Sequence, residues 1–163
     1  EDNAFSLLAE CPNLLILRTF SKAFGLAGMR FGYCLCAPEL AAEISKVQLP
    51  HHVNYFTQTA ALVLLGHKDL VEQRVAEIKR EREFIEREIS VLTGVKVFPS
   101  EANFLLVEFS TKTPDDMFNA LLETGILVRN ISNYPGLSHC LRITVGPGED
   151  NRALVKALAG VLS

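Results

Sequence analysis

No apolar run in this sequence approaches the ~20 residues that a transmembrane helix needs. Its first residues also lack the basic stretch, apolar core and small-residue cleavage site of a secretory leader. The reading is therefore of a cytoplasmic chain. Charge of one sign is not in excess: 16 basic and 19 acidic residues are well mixed, for a formal net charge of -3. That leaves no basic stripe for a nucleic-acid backbone and no polybasic membrane patch, which points to small-molecule chemistry. The four cysteines, Cys11, Cys34, Cys36 and Cys140, have neither zinc-site spacing nor a Cys-x-x-Cys pair, so buried reduced thiols are expected. Cys34 and Cys36 would share one side of a strand, too close along the chain for an ordinary disulfide. The histidines are scattered, and adjacent His51 and His52 would point different ways on any regular element. No metal site is expected. Internal repeats, low-complexity tracts and a Walker-type Gly-Lys-Ser/Thr are all missing.

What is present is a hydrophobic content of 48% in 163 residues, enough for one or two cores and too much for a disordered chain. The chain opens on Glu1 and enters a helix-like segment, Phe5 to Glu10, within a few residues, so it reads as a piece of something longer. From Leu14 to Thr19 runs an apolar stretch that suits a strand buried on both faces of an α/β sheet. Chemistry often sits just past the end of such a strand. Phe31 to Cys36 reads as a second strand, followed by a helix from Pro38 to about Val47. Pro50 interrupts the pattern. A helix from about Asn54 to Gly66, apolar through Ala60-Ala61-Leu62-Val63-Leu64-Leu65, is expected to be deeply packed.

Between Asp69 and Thr93 the apolar positions Val71, Val75, Ile78, Ile85, Ile89 and Leu92 recur at threes and fours, apart from Arg82. One long amphipathic helix is expected, with a free coiled coil as the alternative. Gly94 ends it. The remainder reads as a strand over Val95–Phe98, a strand over Asn103–Phe109, a helix over Pro114–Thr124, strands over Ile126–Arg129 and Cys140–Val145, and a helix over Glu149–Leu162. Thr113-Pro114-Asp115-Asp116 is a helix start with cap, proline and acidic first turn. This second part reads as an α+β unit, with the domain junction inside the long helix near residue 76.

The stretch Arg18-Thr19-Phe20-Ser21-Lys22-Ala23-Phe24-Gly25-Leu26-Ala27-Gly28-Met29-Arg30-Phe31-Gly32-Tyr33 follows the first strand directly. A lysine held there away from bulk water, with Arg30 as a neighbouring cation, would have its pKa lowered. That supplies the neutral amine needed to form an imine with an aldehyde. The Thr19 and Ser21 hydroxyls, loop amides and glycines 25, 28 and 32 could cradle a phosphate. On spacing alone the stretch reads equally well as a Gly-rich turn bearing a solvated lysine. Arg142 lies inside an apolar strand, where a charge is expensive without a compensating partner, and is a candidate ligand group. Asn103 is expected to satisfy buried backbone groups near the junction.

The whole stretch resembles the cofactor-lysine motif of fold-type I, class II pyridoxal-phosphate-dependent aminotransferases, and its wording is most similar to the histidinol-phosphate aminotransferases. The resemblance continues through Ser100-Glu101-Ala102-Asn103-Phe104, Ile126-Leu127-Val128-Arg129 and Cys140-Leu141-Arg142-Ile143-Thr144-Val145-Gly146. It implies an α/β fold-type I transferase in two parts: residues 1–75 as the C-terminal part of the large cofactor-binding domain, and 76–163 as the small α+β domain. It further implies that Lys22 holds pyridoxal 5'-phosphate and removes the substrate Cα proton as general base. Ser21 and Arg30 would bind the cofactor phosphate, assisted by Thr19. Arg142 would fork the substrate carboxylate, and Arg129 would meet the phosphate end of histidinol phosphate. The second substrate would be 2-oxoglutarate, and the complete protein a homodimer. The family's acidic partner for the pyridine nitrogen lies upstream of the lysine. Asp2 is the only aspartate before Lys22 and is not assigned that role, so the chain is expected to be a fragment with little activity alone. A threonine-phosphate decarboxylase-like lyase and an aromatic aminotransferase share the motif set. A non-catalytic regulatory or assembly domain is the alternative from another class.

Overall fold

The computed structural model of the chain describes residues 4–163; Asp2 lies outside them. The residues fall into two units that divide between Gln73 and Arg74, inside one helix. Among the described residues no helix is long and apolar enough to cross a membrane.

In the first unit a 3-10 turn, Ala4–Ala9, leads to β1 (Ile16–Thr19), a short 3-10 turn at Ala27–Met29, β2 (Gly32–Leu35), α1 (Pro38–Ser45) and α2 (Tyr55–Leu65). β1 and β2 pair antiparallel, from Ile16 opposite Leu35 to Thr19 opposite Gly32. Gly32 is obligatory at that last pair: a Cβ there would lie 2.5 Å from the Arg18 carbonyl oxygen, inside any allowed contact. Asn54 caps α2 by accepting the Thr57 amide at 2.9 Å, one of the four amides that a helix start leaves unpaired.

Two expectations fail in this unit for one reason. β1 has a single sheet neighbour, so only Ile16 of its four residues is buried and Leu17 is 77% exposed. It is not covered on both faces. α2 is not deeply packed either: Thr57 and Ala61 are buried, while Tyr55, Phe56, Leu62 and Val63 are exposed. Apolar composition states what a segment would bury, not that a partner surface exists.

In the second unit four antiparallel strands, β3 (Val95–Phe98), β4 (Phe104–Phe109), β5 (Arg129–Asn130) and β6 (Cys140–Thr144), lie in the order β3-β4-β6-β5. Side chains alternate between faces along a strand. Leu105, Val107, Phe109, Leu141 and Ile143 therefore share one face, and all are buried. Against that face pack Ile85 and Ile89 of α3 (Lys68–Ile89), Met117 and Leu121 of α4 (Pro114–Glu123), and Leu154 and Leu158 of α5 (Gly148–Leu162). The α3 stripe thus covers a sheet and is not a free coiled coil. Thr113 caps α4, accepting the Asp116 amide at 3.2 Å. The strand expected over Ile126–Arg129 forms only from Arg129, because the register to β6 covers just Arg129 opposite Arg142 and Asn130 opposite Leu141.

Arg82, the break in the α3 stripe, is 7% exposed. It donates to the Ala102 carbonyl and to Glu101 Oε2, each at 3.1 Å. The satisfaction of backbone expected of Asn103 falls instead to other side chains. Ser100 accepts the Ala102 amide and donates to the Phe104 carbonyl. Asn151, 2% exposed, accepts the Gly146 amide at 2.9 Å and donates to the Gly146 carbonyl and Glu81 Oε2, each at 2.8 Å. Asn151 thereby ties α3, α5 and the end of β6 together.

All four cysteines are free thiols, and the expectation that they are buried holds only for Cys140; Cys11 and Cys34 are exposed and Cys36 is half-buried. Their strand and loop have no second covering layer. Burial, and after it the neighbouring Cys34 thiol, pushes the Cys36 thiol above its ordinary value. Burial, then the Glu108 carboxylate, does the same for Cys140.

Two measurements check this description. Asn151→Ala leaves the Gly146 amide and carbonyl and a Glu81 oxygen without that partner. It is expected to lower the unfolding free energy of the second unit by about 2–3 kcal/mol in urea titrations; Leu17→Ser, at an exposed site, is expected to stay within about 0.5 kcal/mol. In iodoacetamide labelling at pH 8 followed by peptide mapping, Cys11 and Cys34 are expected to react before Cys36 and Cys140, whose raised pKa values leave less thiolate; raising the pH should narrow the gap.

Candidate active site

The predicted cofactor stretch is built around a small aromatic cluster. Phe20 is 4% exposed, with the rings of Phe24, Phe31 and Tyr33 at centroid distances of 4.4, 5.0 and 6.1 Å. Its backbone closes the loop at both ends: the Phe20 amide donates to the Phe31 carbonyl and the Leu26 amide to the Phe20 carbonyl, each at 3.0 Å. Burying Phe20 sends its sequence neighbours Thr19 and Ser21 the other way. The Thr19 hydroxyl then accepts the Ser21 amide at 3.0 Å, a local turn that shapes the loop. Lys22 follows, and the Gly25 amide donates to its carbonyl at 2.9 Å.

Lys22 is exposed in this unit, so the expectation of a lysine withdrawn from solvent is not met here; β1 and β2 alone build no wall above it. Arg30 stands at φ +50°, a left-handed conformation that non-glycine residues adopt at a cost of about 1–3 kcal/mol and that gathers at functional sites. Its Nη1 donates to the Ala27 carbonyl at 3.3 Å. That bond turns the side chain back over its own turn, beside a cavity of about 270 Å³ lined by Gly28, Arg30, His52, Asn54 and Thr57 among others. A Cβ at Gly28 would meet nothing within 4 Å, so the approach to this turn is open.

Arg129 and Arg142 come together in the second unit. They are direct partners across β5 and β6, so their side chains leave the same face of the sheet, opposite the one that carries the aliphatic core. Both line a cavity of about 260 Å³ with Ile131, Tyr134 and Leu137. Two like charges in this position repel unless an anion lies between them. Among the described residues no carboxylate pairs with either arginine; the ion pairs belong to other residues. The Arg142 Nε is buried and has no hydrogen-bond partner, whereas its guanidinium carbon sits 5.3 Å from the Phe104 ring centroid. A buried N–H without an acceptor costs about 1–3 kcal/mol.

Sequence reasoning missed Tyr134, His52 and Asn54 as cavity-lining residues. Pro135-Gly136 was a legible turn signal for the first of these. His52 and Asn54 carried no signal that marked them as cavity-lining. Among the described residues no cluster of metal-ligating side chains forms.

A lysine on a tight turn after a strand, followed by a helix-backed antiparallel sheet with paired arginines on its open face, is the architecture of an aminotransferase-type α/β protein. The chain belongs to the family described as aminotransferase class I and II, which matches residues 2–158. It is 41% identical over 151 residues to the histidinol-phosphate aminotransferase of Christiangramia forsetii, an alignment covering 92% of this chain and 43% of that protein. In three dimensions it superposes on L-threonine-O-3-phosphate decarboxylase from Porphyromonas gingivalis with a TM-score of 0.86 at 27% identity, covering 96% of this chain and 49% of the other. The histidinol-phosphate aminotransferase from Sinorhizobium meliloti, solved in complex with pyridoxal-5'-phosphate, gives a TM-score of 0.81 at 30% identity over 93% of this chain and 41% of that one. The chain thus spans less than half the length of the relatives it matches.

The arginine pair carries its own test. Arg129→Gln removes one of two facing charges and is expected to raise stability by about 0.5 kcal/mol at low salt. The gain should vanish in 1 M sodium chloride, where the screening length falls to ~3 Å. Loss of stability at low salt would mean that the two guanidinium groups are already compensated.

Proposed function

We propose that this chain supplies the cofactor lysine and the substrate-binding arginines of a pyridoxal-phosphate-dependent aminotransferase, which passes the amino group of histidinol phosphate to 2-oxoglutarate in histidine biosynthesis. The products are imidazole acetol phosphate and glutamate. The observation that carries this reading is the uncompensated Arg129–Arg142 pair with its unsatisfied Nε. Histidinol phosphate brings a phosphate dianion and 2-oxoglutarate brings two carboxylates. One pair of adjacent guanidinium groups suits either, since the planar fork matches both oxyanions. Arg142 takes the carboxylate next to the reacting carbon, and Arg129 takes the phosphate end.

The residues of the first unit fit the cofactor. Arg30 has no carboxylate partner among the described residues and borders an open cavity beside Gly28. The Ser21 hydroxyl makes no hydrogen bond among the described residues, and the Thr19 hydroxyl shapes the loop. Ser21 and Arg30 would therefore hold the phosphate of pyridoxal 5'-phosphate, and Lys22 its aldehyde end. When bound, that cofactor supplies an electron sink for the bond broken at the substrate Cα. Lys22 takes the Cα proton as a general base and carries it back on the return half of the cycle. Residues 1–75 then belong to the large cofactor-binding domain and 76–163 to the small domain. The whole protein is a cytoplasmic homodimer, and this chain alone turns over little or no substrate.

Amino transfer and decarboxylation use the same lysine and differ in which bond to Cα is broken. The likeness to a threonine-phosphate decarboxylase keeps the lyase as the second reading. Incubating the chain with pyridoxal 5'-phosphate, reducing with borohydride and mapping the added mass is expected to find the adduct on Lys22, absent in Lys22→Ala. Adducts spread over surface lysines would overturn the assignment of Lys22. In the whole protein, glutamate formed from histidinol phosphate and 2-oxoglutarate supports the transferase; carbon dioxide released from threonine phosphate supports the lyase.

A further inference from the structure

The loop between β5 and β6 is held more firmly than its length requires. At its start Asn130 Nδ2 donates to Asp115 Oδ1 at 2.6 Å, and Asn130 Oδ1 accepts the Ser132 amide at 3.0 Å. In its middle Pro135 and Gly136 form the centre of a β-turn closed by the Leu137 amide donating to the Tyr134 carbonyl at 3.1 Å. Gly136 has φ +78°, the value that the third position of a type II turn demands. At its end the Cys140 amide donates to the Leu137 carbonyl at 3.0 Å. Ile131 is buried, so the loop is anchored by an apolar side chain as well. Tyr134, by contrast, is 51% exposed and lines the cavity of the arginine pair together with Ile131 and Leu137.

An aromatic ring left half in water on a loop this well tied down is not needed to fold the loop. The anchoring is done by backbone groups, by Asn130 and by Ile131, none of which depends on the Tyr134 side chain. The cavity is chemically two-sided: cationic where Arg129 and Arg142 meet, apolar along Ile131, Tyr134 and Leu137. Inorganic phosphate would use only the first side. An anion with a flat, apolar group beside its charge would use both, since an aromatic face gains most from an offset or edge-on ring.

We propose that Tyr134 is a specificity-determining residue of the arginine-pair cavity, selecting oxyanions that carry an aromatic or planar group over bare ones. This rests on the reading of Arg129 and Arg142 as the anion-binding pair. The ring of Tyr134 is the selective element and its hydroxyl is secondary.

The test uses the 163-residue chain with two probes, inorganic phosphate and phenyl phosphate, titrated while the side-chain Nε–H resonance of Arg142 is followed by NMR. Phenyl phosphate is expected to bind about three- to tenfold more tightly, the range of one favourable ring–ring contact. Tyr134→Phe is expected to keep that ratio. Tyr134→Ala should bring it close to one while leaving the affinity for inorganic phosphate unchanged, and circular dichroism of both variants should match the parent. An unchanged ratio in Tyr134→Ala, with binding of both ions still weakened by Arg129→Gln, overturns the role of Tyr134 and leaves the arginine reading standing. Equal loss of both ions in Tyr134→Ala also overturns it, because the residue would then hold the cavity open and not select. No response of the Arg142 resonance to either ion overturns the arginine reading, and the role of Tyr134 with it.

Discussion

Every second side chain of β4 and β6 has to leave the sheet on the same side, and the rest of the second unit follows from how those positions are filled. Leu105, Val107, Phe109, Leu141 and Ile143 occupy one set, and three helices converge on them. The other set includes Phe104, Leu106, Glu108, Cys140 and Arg142, none of which belongs to the buried aliphatic cluster. A one-residue slip in the pairing of β4 with β6 would exchange the two sets and drive Arg142 into the core. The register that buries the aliphatic residues is thus the same register that presents the guanidinium group.

That presentation is energetically uncomfortable by design of the sheet. Arg129 faces Arg142 across β5 and β6, and no carboxylate among the described residues answers either one. The Phe104 ring gives Arg142 a cation–π contact, worth about 0.5–1 kcal/mol at an exposed site and more when desolvated. That contact orients the guanidinium group without neutralising it. The stability for this arrangement comes from elsewhere in the unit: the fully buried aliphatic layer, the Asn151 bonds to Glu81 and Gly146, and the Arg82 bonds to the Glu101–Ala102 turn. A like-charge pair kept against local stability is what the proposed anionic ligand would answer.

The first unit follows a different logic. Its order is local, centred on Phe20 and the two backbone bonds that close the loop from Phe20 to Phe31. The Thr19–Ser21 turn and the left-handed Arg30 are consequences of that closure, and they shape a loop that can approach an oxyanion. Around this ordered loop Leu17, Tyr55, Phe56 and Leu62 remain exposed.

Much of this was legible in the sequence because its causes are short-ranged. Helix starts at Asn54 and Thr113 follow from a side-chain oxygen and an amide three residues on. The α3 stripe follows from the 3.6-residue period, and the cofactor stretch from a family resemblance resting on sixteen consecutive residues. What sequence could not decide depends on partners distant along the chain. Leu17 and Leu62 have buried-strand and buried-helix patterns, yet whether they are covered depends on another surface. Ile126 to Val128 have strand character but stay unpaired, since β5 meets β6 only from Arg129. The sequence and its family resemblance singled out Arg129 and Arg142, thirteen positions apart, as candidate substrate-binding residues without placing them together. Only the antiparallel register, which depends on which residues the helices can bury, set them face to face along one cavity.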